Sequence, residues 1–386
     1  MPQSNDTKAA FGELLVANLT PQVQLTFVYN INPKIMSTQV VGSGTVTTAN
    51  SLLSVSTGTD SNGHGHLESN RILRYGAGQG GLARFTAIFT QGVADSTQII
   101  GIGDDLDGFF VGYDGTEFGI LRRSAGVDHW TYIDDFDPPT RPSFSSSPGL
   151  YRWPLDPTKG NVYEIRYQWL GFGMIVFSAE DPNSGEFRPF HAIRYANTAV
   201  VPTIQNPMLP LAVLATNAGN TSDVVVKTAS MMGAIEGIPN DVGTLTTADG
   251  THAATTTEEL ILTLRAKDTF QGIRNRVESI LQNVALSLDT GGQHQFRVYF
   301  GAVPTGPSYA DIDAATSTLE LDTTATAFTG GSLVFEGFVN STSLQSFDVS
   351  AFGIRFRRLD TISITIQRIT GSAGNASAVI TLSEIF

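Results

Sequence analysis

The sequence predicts an all-β chain of two antiparallel, jelly-roll-like β-sandwich domains behind a short N-terminal arm. Apolar and polar residues alternate with period two in run after run. Gly-rich or Pro-rich turns separate the runs, as antiparallel sandwiches require. The Glu/Lys-rich faces that long solvent-exposed helices carry are missing, and charged residues make up only 15% of the chain. With 386 residues, 41% of them hydrophobic, the chain can bury more than one core.

In chain order, Met1 to Ala10 are mostly polar and begin an arm over residues 1–18. Phe11, Leu14, Leu15 and Val16 follow as a tight apolar group. Ordering each residue of a free arm costs about 1–2 kcal/mol of backbone entropy, so these four side chains are expected to bury against a neighbouring chain. The first sandwich is expected over 19–240. In it Val23, Leu25, Phe27, Tyr29 and Ile31 alternate with polar residues, as do Ala83, Phe85, Ala87 and Phe89, and Tyr163, Ile165, Tyr167 and Trp169. Pro138, Pro139, Pro142, Pro148, Pro154 and intervening serines mark a long loop across 134–160. Residues 241–257, rich in Thr, Ala, Asp and Gly, read as a linker or as a surface strand entering the second domain.

The second sandwich is expected over 258–386, closing with Phe352, Ile354 and Phe356 and then Ile362, Ile364 and Ile366. One segment there is ambiguous. Phe270, Ile273, Val277, Ile280, Leu281, Val284 and Leu288 fall at helical spacing, whereas Val284, Leu286 and Leu288 alternate and Asp289-Thr290-Gly291-Gly292 follows like a hairpin turn. Gly272 weakens a helix, and strand is the favoured reading.

The formal charge of −13 repels phosphate backbones and argues against bulk nucleic-acid binding. Lack of cysteine excludes disulfides, zinc thiolate sites and cysteine nucleophiles. The first residues lack a signal-peptide core and no apolar run is long enough to span a bilayer, so synthesis in the cytoplasm without membrane insertion is expected.

Candidate chemistry is sparse. Asp104, Asp105 and Asp107 form an acidic run that could offer oxygens to calcium, but the spacing is not that of an EF-hand, and a solvated β-turn is expected. His64 and His66 stand two residues apart, so an extended backbone would point both imidazoles the same way and, about a trimer axis, could offer six nitrogens to a transition metal. Two exposed histidines on a polar loop explain the same residues, and no metal and no cofactor are expected. Trp130, Trp153 and Trp169, with Tyr132, Tyr151 and Tyr167, could stack on sugars; Trp130 and Trp153 flank the Pro-rich loop and are the better candidates to touch a glycan or a partner, whereas Trp169, alternating with Tyr167 and Ile165, reads as core. Arg122-Arg123 and Arg357-Arg358 are basic spots suited to the surface or to an adjoining subunit. No G-x-S-x-G elbow, H-E-x-x-H pair or carboxylate pair with glycosidase character stands out, so the chain is not expected to be an enzyme.

Several stretches carry a family resemblance. Thr20 to Pro33 (TPQVQLTFVYNINP), Arg74 to Gly81 (RYGAGQGG), Ile99 to Arg123 (IIGIGDDLDGFFVGYDGTEFGILRR) and Asp156 to Gly173 (DPTKGNVYEIRYQWLGFG) resemble a family of phage and giant-virus structural proteins over about residues 11–237. Residues 258–386 resemble a second β-sandwich module that often follows the first, with an Asn-Arg-Val strand start at 275–277. The His64/His66 pair departs from the family pattern. The resemblance implies a non-enzymatic component of a tailed-phage or large-virus particle, in the tail, baseplate or collar, a head fibre or a capsid decoration. It implies a virion location, a symmetric homo-oligomer such as a homotrimer, and other virion proteins as partners. The alternative is a lectin-like, receptor-binding module for a host surface glycan.

Overall fold

Both halves of the chain pair strand against strand in antiparallel ladders, and helix among the described residues is limited to two three-residue 3-10 turns, Ile133–Asp135 and Ser350–Phe352. The computed structural model describes residues 18–33, 35–137, 155–239, 243–340, 342 and 344–386. Phe11, Leu14, Leu15, Val16, Tyr151 and Trp153 lie outside the described residues. The chain divides into two units, Met1–Asn240 and Asp241–Phe386.

The first unit contains β1 (Leu19–Thr26), β2 (Met36–Val41), β3 (Thr45–Ala49), β4 (Leu52–Ser56), β5 (His64–Leu73), β6 (Gly81–Phe89), β7 (Ser96–Gly103) and β8 (Gly108–Asp114). It continues with β9 (Glu117–Ser124), β10 (Val127–Tyr132), β11 (Asn161–Tyr167), β12 (Ile175–Glu180), β13 (Phe187–Ile193), β14 (Leu209–Asn217), β15 (Val225–Thr228) and β16 (Ser230–Glu236). Among the described residues, one sheet has seven strands in the order β10-β9-β8-β7-β14-β5-β2. The other has nine, running β13-β12-β11-β6-β15-β4-β3, with β16 also on β6 and β1 on β16. Phe85, Phe89, Tyr163, Ile165 and Phe177 of the nine-stranded sheet share one buried core with Ile100, Ile102, Phe109, Val111, Ile120 and Val213 of the seven-stranded sheet. Val23, Leu25 and Phe27 of the expected alternation are buried, but β1 stops at Thr26, Tyr29 is 83% exposed and Ile31 is only partly buried against the core. Trp169 packs its edge on Tyr75 at the margin of this core and donates its indole N–H to the Ile204 carbonyl at 3.1 Å.

The second unit has a sheet in the order Thr244–Ala254, Gly374–Ile385, Glu278–Leu288, Gln345–Asp348. Its facing sheet runs Ala310–Asp311, Leu319–Asp322, Glu259–Ala266, Thr361–Arg368, His294–Phe300, Ser332–Val339. Leu262, Leu264, Leu281, Val284, Leu286, Phe296, Ile362, Ile364, Ile366 and Ile380 fill the core between them. The ambiguous segment is therefore strand from Glu278 onward.

One open reading is decided and one expectation needs correction. Residues 244–254, read as a linker or as a surface strand entering the second domain, are the strand: eleven residues at a sheet edge, paired along their length with Gly374–Ile385. Large apolar residues are dispensable there because the backbone ladder and the core-filling Ala376, Ala378, Ile380 and Leu382 of the partner strand hold it. The run Phe352-Ile354-Phe356 is not one strand. Gly353 takes a left-handed φ of 59°, which ends a 3-10 turn, leaves Phe352 61% exposed and admits only Arg355–Phe356 to the sheet.

Glu384 ties the two sheets of this unit together. Its carboxylate is fully buried and accepts hydrogen bonds from the Ser317 hydroxyl at 2.7 Å, the Thr318 N–H at 2.7 Å and the Thr318 hydroxyl at 2.6 Å, and from the Thr246 hydroxyl. A buried carboxylate with this many donors is stabilising, while its loss strands all of them. Glu384→Ala is expected to lower unfolding stability by about 2–4 kcal/mol. Glu384→Gln, which keeps an acceptor, should cost clearly less. Equal losses in chemical denaturation would contradict the clasp.

Candidate functional site

The outward face of the seven-stranded sheet is set by the same alternation that builds the core. Phe109, Val111, Tyr113, Phe118 and Ile120 point inward. Their neighbours Phe110, Gly112, Asp114, Glu117, Gly119 and Leu121 must then point outward. Two tight hairpins fix the register. Gly115, at φ 57°, turns β8 into β9, and Ala125 and Gly126, at φ 52° and 76°, turn β9 into β10. The strained Ala125 is held by its N–H, which donates to the Asp107 carboxylate at 3.2 Å.

Across this meander, register places outward side chains in rows. Trp130 lies beside Leu121 and Phe110, and Tyr132 lies beside Gly119 and Gly112. Asp114 lies beside Glu117 at the end of the sheet. A Cβ on Gly119 would come 2.6 Å from the Thr131 carbonyl oxygen, and one on Gly112 would come 1.8 Å from that of Gln98. Those positions must stay bare, and they leave a floor of backbone next to Tyr132.

The Tyr132 hydroxyl donates to Asp114 at 2.8 Å. Its ring lies 5° from parallel to that of Trp130, with centroids 6.2 Å apart. Desolvation, then the hydrogen bond and charge of Asp114 and the charge of Glu117, push the phenol up to about 12, so it stays a neutral donor at physiological pH. Trp130 packs against a second, outward-facing apolar cluster of Ile99, Phe110, Leu121 and Ala212, with Leu214 beside it, and keeps part of its surface open. Beyond Trp130, Arg123 closes the row. It pairs with both oxygens of Asp128, at 2.6 and 3.0 Å, and lies over the Phe110 ring. The result is a parallel, stacked aromatic pair bordered by carboxylates at one end and a satisfied ion pair at the other.

Trp130 and Tyr132 were legible in the sequence among the aromatics that could stack on sugars; Asp114 and Glu117 were not placed beside them. The available signal was the spacing of Trp130 and Tyr132 two residues apart, after the Asp-Gly-Thr-Glu hairpin.

The acidic run is a turn but not a solvated one. Asp104 and Asp107 are 7% and 3% exposed. Asp104 accepts from the N–H groups of Leu106 and Asp107 at 2.8 and 3.0 Å, and Asp107 accepts from Ala125 and Gln205. These carboxylates are engaged in joining loops, and Asp105 is exposed beside them. Among the described residues no group of three or more His, Asp or Glu is placed to hold a metal ion. His64 and His66 do share the outward face of β5, with ring centroids 6.1 Å apart. Burial pushes His66 down to about 4, with the charges of His64 and Arg123 acting in the same direction and those of Asp105 and Asp104 against it; burial also lowers His64. The basic spots serve this chain itself. Arg122 donates to the Thr203 carbonyl, Arg123 binds Asp128, and Arg358 binds Asp268 at 2.5 Å.

No protein-family model and no curated protein matches the chain. Solved structures similar to it include the carbohydrate recognition domain of Emp47p, 12% identical over 57% of this chain and 97% of that one, with a TM-score of 0.35. A legume lectin-like domain from Entamoeba histolytica is 13% identical over 56% and 97% of the two chains, with a TM-score of 0.32. A glycosyl hydrolase family protein from Mycobacterium fortuitum is 12% identical over 55% and 99%, with a TM-score of 0.37. Similarity this distant leaves function to be read from the side chains.

Asp107→Ala should release both loops it joins and lower the melting temperature, whereas millimolar calcium should leave the melting temperature of the wild-type chain unchanged. Thermal melts with and without calcium check both statements, and a calcium-dependent rise would return the acidic run to the metal reading.

Proposed function

We propose that the chain is a carbohydrate-binding protein that engages a glycan on the outward face of its seven-stranded sheet, and that it binds without cleaving. The parallel Trp130/Tyr132 pair carries this reading. An aromatic face held by packing at low entropic cost is suited to the C–H face of a sugar ring, and neighbouring polar groups are suited to its hydroxyls. Asp114 and Glu117 supply acceptors in the adjoining row, and Asp114 is already bonded to the Tyr132 hydroxyl.

A virion role is a second proposal, and it rests on the sequence resemblance over residues 11–237 and 258–386. The two are compatible. A symmetric homo-oligomer mounted on a particle, in its tail, a fibre or a capsid decoration, would use many copies of one weak sugar site to attach to a cell.

A glycan array probed with the pure full-length chain, followed by calorimetry on the best ligand, tests the binding reading. Trp130→Ala is expected to weaken binding about tenfold or more, and Tyr132→Phe, which keeps the ring but loses the hydroxyl bond to Asp114, by a smaller factor. The bound oligosaccharide should be recovered intact. Unchanged affinity in Trp130→Ala would move the site elsewhere, and newly formed reducing ends would make the chain an enzyme.

A further inference from the structure

The histidine pair stands on a different strand from the aromatic pair, with Arg123 bordering both. Trp130 stands on β10, and five strand spacings, about 24 Å, separate that strand from β5. β5 is paired on both sides. His64 stands opposite Val41 of β2 and Thr216 of β14, and His66 opposite Gln39 and Leu214. Gly65, between them, faces inward, where an added Cβ would meet the Ser56 carbonyl oxygen at 2.8 Å. Both imidazoles are therefore fixed to one face of a strand that cannot slip or twist out of its ladder.

Charges act on His66 from Asp105, Arg123 and Asp104, but no hydrogen bond holds either ring among the described residues. Elsewhere in the chain His252 pairs with Glu259 at 3.0 Å, and the Nδ1 of His294 with the Gly292 carbonyl at 3.3 Å. Among the described residues, His64 and His66 contact each other and have no hydrogen-bond partner, and both are partly open to solvent.

We propose that His64 and His66 together chelate one divalent transition-metal ion on the outward face of β5. A metal–nitrogen bond of about 2.0–2.1 Å puts a shared ion about 3.2 Å from each ring centre, so two rings can bridge one ion up to about 6.4 Å apart. The observed 6.1 Å lies within that reach. Modest side-chain rotation closes it to about 5.2 Å, the span of a tetrahedral angle. Imidazole suits copper, nickel and zinc, with copper(II) bound most tightly of the divalent series. No third His, Asp or Glu joins the pair among the described residues. The ion keeps open positions for water or for a ligand atom from outside.

Copper(II) is the probe. The full-length chain without an affinity tag is titrated by calorimetry in a non-coordinating buffer, and its one-to-one complex is examined by electron paramagnetic resonance. One site per chain is expected, with hyperfine structure from two equatorial imidazole nitrogens. His64→Ala and His66→Ala should each weaken binding tenfold or more, and His64→Gln serves if an alanine variant fails to fold. His252→Ala, in the other unit, should leave the site as it was. Lack of saturable binding, a signal from a single nitrogen, or undiminished affinity in the β5 variants would overturn the proposal.

Discussion

Closure of two sheets over one apolar layer is the constraint on which the rest of the first unit depends. Side chains on a strand alternate with period two, so burying Phe109, Val111 and Tyr113 obliges Phe110, Gly112 and Asp114 to face out. A one-residue slip of β8 would exchange the two sets and put the Asp114 carboxylate into the core. The positions of Trp130 and Tyr132 follow from the same register, passed from β8 to β9 to β10 through two hairpins. Core and candidate site are two faces of one decision.

The second unit solves a related problem with a polar device. Its sheets are joined by a core of Leu, Ile, Val and Phe, and also by a single carboxylate, Glu384, with four donors converging on it. Hydroxyl and amide donors can satisfy a buried carboxylate without a cation, and they fix geometry more tightly than apolar contact does. In the first unit Asp107 has a similar part at a turn, where it holds the left-handed Ala125 and the backbone of Gln205.

Fold class was legible because alternation is a local property. The alternating residues Ala83, Phe85, Ala87 and Phe89, Tyr163, Ile165 and Tyr167, and Ile362, Ile364 and Ile366 are all buried. What the sequence hid was of three kinds. The strand Thr244–Ala254 has little apolar signal because its partner strand supplies the core side chains. The break at Gly353 depends on a φ angle that a period-two pattern does not register. The engagement of Asp104 and Asp107 depends on loops far away in sequence, at Ala125 and Gln205. The candidate site falls between these cases. Trp130 stood out as a large aromatic near a loop, whereas its parallel alignment with Tyr132 and the bare glycines beside it follow only from strand register.

Hydrogen–deuterium exchange with and without the oligosaccharide chosen by the glycan array tests most directly whether the outward face of the seven-stranded sheet is where ligand binds. Protection concentrated in peptides spanning β8 to β10 is the expected result. Protection confined to the nine-stranded sheet or to the second unit, with β8 to β10 unchanged, would contradict it.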